Sequence, residues 1–334
     1  MKTLVTGGGG FLGRYIVEQL LAQQAQVRIL ARGHYPDLVQ QGVECIQGSI
    51  LDPRTVDRAC HDIDTVFHCA AKVGVWGPFK DFYETNVIGT QNILHSCQAF
   101  HIRRFIYSSS SSVTYEGKDQ IMADETLPYP KTFLSPYSQT KAHAEQLVLS
   151  ANGKNNVLTC ALRPHLIWGP RDTYIIPRLL TQAQKRKLRI IGDGKNLTDI
   201  TYVENAARAH LLAAEALKSG SPVPGNTYFI TQGKPVVLWE WVNELLKLFD
   251  LPIVTKHLSA NMAYALGVGF EKMYALLHLH TDPPLTRLIA KQLSTTHTYS
   301  IQKAKDHFGY DPIISTAEGM QRLLIYDSKE RQST

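Results

Sequence analysis

Tyr137 and Lys141 stand four residues apart in the run Pro136-Tyr-Ser-Gln-Thr-Lys141. On a helix that spacing puts both side chains on one face. The pair has a specific chemical use. A free phenol titrates near pH 10 and is a poor acid–base at neutrality, but a neighbouring ammonium favours the phenolate and lowers that value. A serine hydroxyl to hold a substrate oxygen would complete the set. Ser108 to Ser112 supply five in a row at the end of an apolar strand pattern. Ser110 is the preferred candidate, because it stands three residues before Val113, and Ser109 is its rival. Such a trio can pass a proton to or from a carbonyl oxygen while a cofactor exchanges hydride with its carbon.

The cofactor signal lies at the other end of the chain. Lys2-Thr-Leu-Val-Thr6 is a short β-branched run that enters Gly7-Gly-Gly-Gly10-Phe11-Leu12-Gly13, and an apolar helical pattern (Tyr15, Ile16, Leu20, Leu21) follows. In a strand–turn–helix of this kind, Gly7 allows the tight turn and Gly10 lets backbone approach a pyrophosphate. Gly13 lets the helix pack on the sheet, with Phe11 and Leu12 between them at the helix start. The phosphates are expected at the helix N-terminus, where free N–H groups and the dipole favour an anion.

The elements that position these residues alternate as strand and helix. Strands are predicted at Gln26–Ala31, Val43–Gln47, Thr65–Cys69, Arg104–Ser108, Leu158–Leu162 and Asn226–Ile230, with a long helix over 81–100 and another from Pro136. The fold class is α/β: a doubly wound parallel sheet (Rossmann) with a smaller, mostly helical substrate lobe. We divide the chain into a dinucleotide-binding unit, 1–165 with 195–232, and a substrate lobe, 166–194 with 233–330. The second strand ends at Ala31 and Arg32, where an acid would bind a ribose 2′-hydroxyl. A guanidinium there favours a 2′-phosphate, so NADP is expected over NAD, although Arg32 stacked on adenine would suit either. Ala70 and Ala71 are small enough to let a cofactor pass. Trp76, in the loop after Lys72, is a candidate pocket wall or a simple packing residue.

Bulk properties exclude other classes. The 334 residues carry a formal charge of +6, and the densest basic run, Lys185–Arg189, reads as a solvated helix end, so no nucleic acid is expected as a partner. The five cysteines form no Cys-x-x-Cys pair, and the thirteen histidines show no ligand spacing. Free thiols in a reducing compartment and no metal are expected. The chain goes straight into its first strand, so no signal peptide is expected, and no run of 18 apolar residues occurs. A cytoplasmic location is expected. The stretch Leu258–Leu277 is apolar but interrupted by Asn261, Glu271 and Lys272. Its simpler reading is a buried helix of the lobe. The sharper one is a surface helix that touches membrane or a partner enzyme.

Taken together, Thr6-Gly7-x-x-Gly10-x-x-Gly13, Ser110-x-x-Val113, Tyr137-x-x-x-Lys141 and Leu162-Arg-Pro164 resemble the extended short-chain dehydrogenase/reductase family over essentially the whole chain. The resemblance is to its 3β-hydroxysteroid dehydrogenase branch. Ala70-Ala-Lys-Val-Gly-Val-Trp-Gly77, Leu162-Arg-Pro-His-Leu-Ile-Trp-Gly-Pro170, Pro284-Leu-Thr-Arg287, Tyr299-Ser-Ile301 and Phe308-Gly-Tyr310 are similar to the bacterial 2-alkyl-3-oxoalkanoate reductases. The resemblance implies catalysis by Ser110, Tyr137 and Lys141. It adds Ser49, Ile50, Lys72 and Pro164 to the cofactor contacts and His165 and Trp168 to the pocket. It also implies a bulky hydrophobic ketone or alcohol as substrate, and a homodimer is expected. Two departures stand out. Ser49 occupies a place where the family often has an adenine-binding Asp. Thr198 occupies the place where nucleotide-sugar epimerases carry a phosphate-binding arginine, which argues against that activity.

Overall fold

The computed structural model describes residues 2–333. Seven parallel strands form the main sheet: β1 (Lys2–Thr6), β2 (Gln26–Ala31), β3 (Glu44–Gln47), β4 (Thr65–His68), β5 (Arg104–Ser108), then Leu158–Pro164 and Thr227–Ile230. Their spatial order, from one edge, is β3, β2, β1, β4, β5, Leu158–Pro164, Thr227–Ile230. The order reverses between β1 and β4, and the crevice above that switch point is where doubly wound sheets bind ligands. Such a sheet is covered on both faces, so its strands are near-continuous apolar runs rather than alternating ones. One face packs against the first helix, α1 (Phe11–Ala22), and the helix Val203–Ala216 around Val5, Ile16, Ile29 and Tyr228. The other packs around Leu4, Val66, Ile93, Phe105 and Val148.

The expected helix over 81–100 is continuous in direction but not uniform. Phe79–Tyr83 is α-helical, Glu84–Ile88 forms a π-helical turn, and Gly89–Ala99 is α-helical again. Such turns are frequent at functional sites, and this one carries Asn86.

The lobe has its own core around Trp168, Tyr202, Trp239, Trp241 and Leu245. It is more interleaved than the predicted division. The segment after the serines contributes Gln120–Ala123, read from sequence as loop, to a four-stranded sheet with His297–Tyr299, Leu197–Thr198 and Val236–Val237. Among the described residues no helix is long and apolar enough to cross a membrane. All five cysteines are free thiols.

Candidate active site

The phosphate turn has the geometry its glycines require. Gly7 has φ +69°, a conformation that L side chains rarely adopt, and a Cβ there would lie 3.0 Å from the Ala70 backbone. A Cβ on Gly13 would strike the Gly7 carbonyl, so α1 reaches the turn only because that residue is glycine. Gly10 N–H donates to Gly7 O at 2.9 Å, which closes the turn. This close-packed cradle at a helix N-terminus fits a dinucleotide pyrophosphate. Phe11 and Leu12 are half-buried and pack onto the core beside it.

A belt of buried hydrogen bonds ties the turn to the reactive helix. Thr6 Oγ1 bonds His68 Nδ1 at 2.7 Å, and His68 Nε2 bonds Thr90 Oγ1 at 2.9 Å. Thr90 donates to Asn86 O at 2.6 Å, and Asn86 Nδ2 donates to Thr140 Oγ1 at 3.0 Å. Burial holds the His68 ring neutral, with its pKa brought down to about 3. Asn86 also grips the Lys72 backbone on both sides, accepting from its N–H at 2.7 Å and donating to its carbonyl at 3.1 Å. Thus Asn86 fixes the loop that leaves β4. Sequence reading passed over it, and the only local signal was its place beside Gly89 in a helical pattern.

Tyr137 and Lys141 lie on the helix Pro136–Ser150, opened by Ser135, whose hydroxyl accepts from Ser138 N–H at 3.1 Å, and by Pro136 in the first turn. Tyr137 is therefore in the first turn, where the helix dipole favours a phenolate. Its hydrogen-bond partner is Ser110, which also bonds Ser112 Oγ at 2.9 Å. Ser110 is half-buried, whereas Ser109 is buried, its hydroxyl without a hydrogen-bond partner among the described residues. Lys141 is buried, its Nζ 2.5 Å from the Ser108 carbonyl and 4.1 Å from the centre of the Tyr107 ring. One expectation needs correcting. Burial raises the Tyr137 phenol, opposed by the Ser110 hydrogen bond rather than by the lysine. The lysine itself is brought down to about 7 by burial, so its charge is poised near neutrality.

The remaining predicted residues divide clearly. Arg32 is exposed, and no described residue pairs with its guanidinium. The Ser49 hydroxyl accepts from Leu51 N–H at 3.1 Å. Ile50 is buried under Gly89, where an added Cβ would meet it, so only its backbone remains for a cofactor. Ala70 and Ala71 are half-buried beside Gly7, and Ala70 N–H donates to Thr6 Oγ1 at 3.2 Å. Lys72 Nζ pairs with Asp81 at 3.1 Å. Pro164 ends its strand, paired in register with Ile230.

Trp76 donates from Nε1 to the Leu279 carbonyl at 3.0 Å and meets Tyr274 edge to face. It belongs to an apolar cluster with Val75, Tyr115, Leu134, Tyr174, Leu288 and Ile289 that spans sheet and lobe. Two of the pocket candidates are buried. Trp168 is completely buried against Tyr202 and Trp241 in the lobe core. His165 is buried between Ser111 (2.6 Å) and Thr198 (3.2 Å), and burial pushes its pKa well below the usual value, so it is a neutral core group. Both follow a strand that ends over the core, which the sequence pattern alone does not reveal.

A Rossmann sheet with a glycine cradle at its switch point and a Tyr–Lys–Ser trio above it defines an NAD(P)-dependent oxidoreductase. Residues 4–259 match the model of the 3-beta hydroxysteroid dehydrogenase/isomerase family, and the chain belongs to that family. It is 45% identical to a 2-alkyl-3-oxoalkanoate reductase of Stenotrophomonas maltophilia, over 97% of this chain and 98% of the relative. It is also 34% identical to a mouse sterol-4-alpha-carboxylate 3-dehydrogenase (decarboxylating), over 97% of this chain and 90% of that one. Among solved structures, MoeE5 in complex with UDP-glucose and NAD superposes with a TM-score of 0.76 at 27% identity, covering 99% of this chain and all of that one.

Proposed function

We propose that this enzyme reduces a 2-alkyl-3-oxoalkanoate to the 3-hydroxy acid, with NADPH as the preferred cofactor. The observation that carries the reading is the Ser110, Tyr137 and Lys141 group beside the glycine cradle, with no cation pairing at Thr198 among the described residues. Thr198 is wholly buried, its hydroxyl donating to the Asp199 carbonyl at 3.2 Å, so nothing there favours a sugar-nucleotide phosphate. The 45% identity to a reductase of that name supports the same choice. A sterol-like 3-alcohol is the second reading, favoured by the relationship to sterol dehydrogenases.

Bound NADPH supplies the hydride. The turn Gly7–Gly13 would hold its pyrophosphate, Arg32 its 2′-phosphate and Lys141 its nicotinamide ribose. Ser110 holds the substrate oxygen, and Tyr137 gives that oxygen a proton from Oη. Consumption of NADPH, followed by absorbance, should be fastest with 2-alkyl-3-oxo acids, slower with 3-keto steroids and absent with UDP-sugars. Faster turnover of the steroids would replace the first reading with the second.

A greasy substrate also needs a route in. In the helix Ala260–Leu276 only Ala263, Gly267 and Glu271 are buried. Gly267 packs against the 286–287 backbone, and Glu271 accepts from Arg287 Nε at 2.6 Å. Met262 (57% exposed), Leu266 (44%) and Leu276 (80%) face outward. The expectation of a fully buried core helix is therefore replaced by that of a surface helix with an apolar outer face, of the kind that marks an interaction site. Contact with lipid is our reading. Wild-type protein should sediment with anionic phospholipid vesicles, and Met262→Glu with Leu266→Glu should abolish this without loss of fold. Wild-type protein that stays in the supernatant would end the membrane idea. A homodimer in a reducing compartment completes the proposal, and light scattering reads the oligomeric state.

A further inference from the structure

The loop after β2 contains one acid. Between Gln26 and Val43 the only carboxylate is Asp37, in the short helix α2 (Pro36–Gln40). An acid at this end of the second strand ordinarily selects a ribose 2′-hydroxyl and repels a 2′-phosphate. Here Asp37 does not face the crevice as a free charge. Its Oδ2 is ion-paired with Arg14 Nη2 from the first turns of α1. Arg14 Nε also lies 3.6 Å from its helical neighbour Glu18, but that carboxylate is held more closely by Arg171, bidentately at 2.6 and 2.8 Å. The loop is also fixed in place. Tyr35, which precedes α2, lies with its ring across Gly9, where a Cβ would strike it. A Cβ on Gly33 would come within 2.7 Å of its hydroxyl. The loop bearing Arg32 and Asp37 is thereby packed on the phosphate turn.

We propose that Arg14 is a specificity-determining residue for the cofactor. By neutralising Asp37 it leaves Arg32 as the uncompensated charge of the loop, so the site accepts a 2′-phosphate despite the acid nearby. The inference rests on the NADPH preference proposed above. Both partners are partly exposed, 22% and 48%, and a pair of that kind adds little to stability. Its effect is electrostatic and local.

The test is titration of NADPH and NADH, followed by protein fluorescence, on wild type and variants whose thermal melts match it. Arg14→Leu should weaken NADPH by about ten-fold relative to NADH, the size expected when an unpaired carboxylate is released near a phosphate at the protein surface. Arg14→Lys should keep the wild-type ratio. Arg14→Leu with Asp37→Asn should restore it to within a few-fold, because the charge that Arg14 controls is then gone. Arg32→Asp gives the scale of a full reversal. If Arg14→Leu changes both affinities equally, or if removing Asp37 brings no recovery, the inference is overturned. A wild-type protein that prefers NADH would instead defeat the NADPH reading. The ratio in the Arg14 variants would still report on the pair.

Discussion

Replacing Tyr137 by Phe lowers turnover by about 10²-fold or more and leaves cofactor affinity near the wild-type value. The ring keeps its place in the first turn of its helix, so packing is preserved. What disappears is the phenolic hydroxyl beside Ser110. Loss of a positioned general acid costs on the order of 10²–10⁴ in rate, and 10² corresponds to roughly 2.7 kcal/mol of barrier. Lys141→Met behaves differently. Lys141 is buried against the Ser108 carbonyl and the Tyr107 ring, one helical turn after Tyr137, and is asked both to hold the cofactor ribose and to keep the reactive helix in place. Turnover and cofactor affinity should fall together. Steady-state kinetics combined with fluorescence titration separates the two patterns. A Tyr137→Phe enzyme within a few-fold of wild type would remove Tyr137 from the chemistry.

The seven strands of the sheet were legible because each is a short, nearly uninterrupted apolar run between turn residues. β2, Gln26–Ala31, and β5, Arg104–Ser108, match their predicted bounds. The glycine turn and the Tyr137–Lys141 pair were legible because their chemistry restricts residue type and spacing together. The lobe was not, for a physical reason. Its strands are mostly two residues long, such as Ile167–Trp168 and Leu197–Thr198, and they pair with segments far away in sequence. No local period encodes them. The burial of Trp168 and His165 was not legible for the same reason, since it is set by Tyr202, Trp241 and Tyr299 arriving from elsewhere. Asn86 escaped notice because a single asparagine in an apolar helix carries no spacing signal.

Arg163 shows how the middle of Leu162-Arg-Pro164 supports the site from beneath. Its guanidinium is buried and binds Glu145 through Nε, at 3.2 and 3.1 Å to the two carboxylate oxygens, and through Nη2 at 2.6 Å. Glu145 is wholly buried, one turn after Lys141 on the reactive helix, and also accepts from Tyr129 Oη at 2.7 Å. The pair thus anchors the helix carrying Tyr137 and Lys141 to the strand that ends at Pro164. Breaking a buried pair leaves an uncompensated charge and costs about 3–5 kcal/mol. For a chain of this size that lowers the melting temperature by roughly 4–7 °C. Arg163→Met and Glu145→Leu should each show that loss in thermal unfolding followed by circular dichroism. The double variant should recover much of it, because removing both charges also removes their desolvation cost. Among the described residues Arg163 Nη1 has no hydrogen-bond partner, so the native pair is itself incompletely satisfied, and this favours recovery further. Single variants that melt within a degree of wild type would show that the pair does not anchor the helix. A double variant no more stable than the singles would show that Arg163 acts through its packing on Tyr129 and Phe229, whose ring centres lie 5.7 and 5.4 Å away, rather than through its charge.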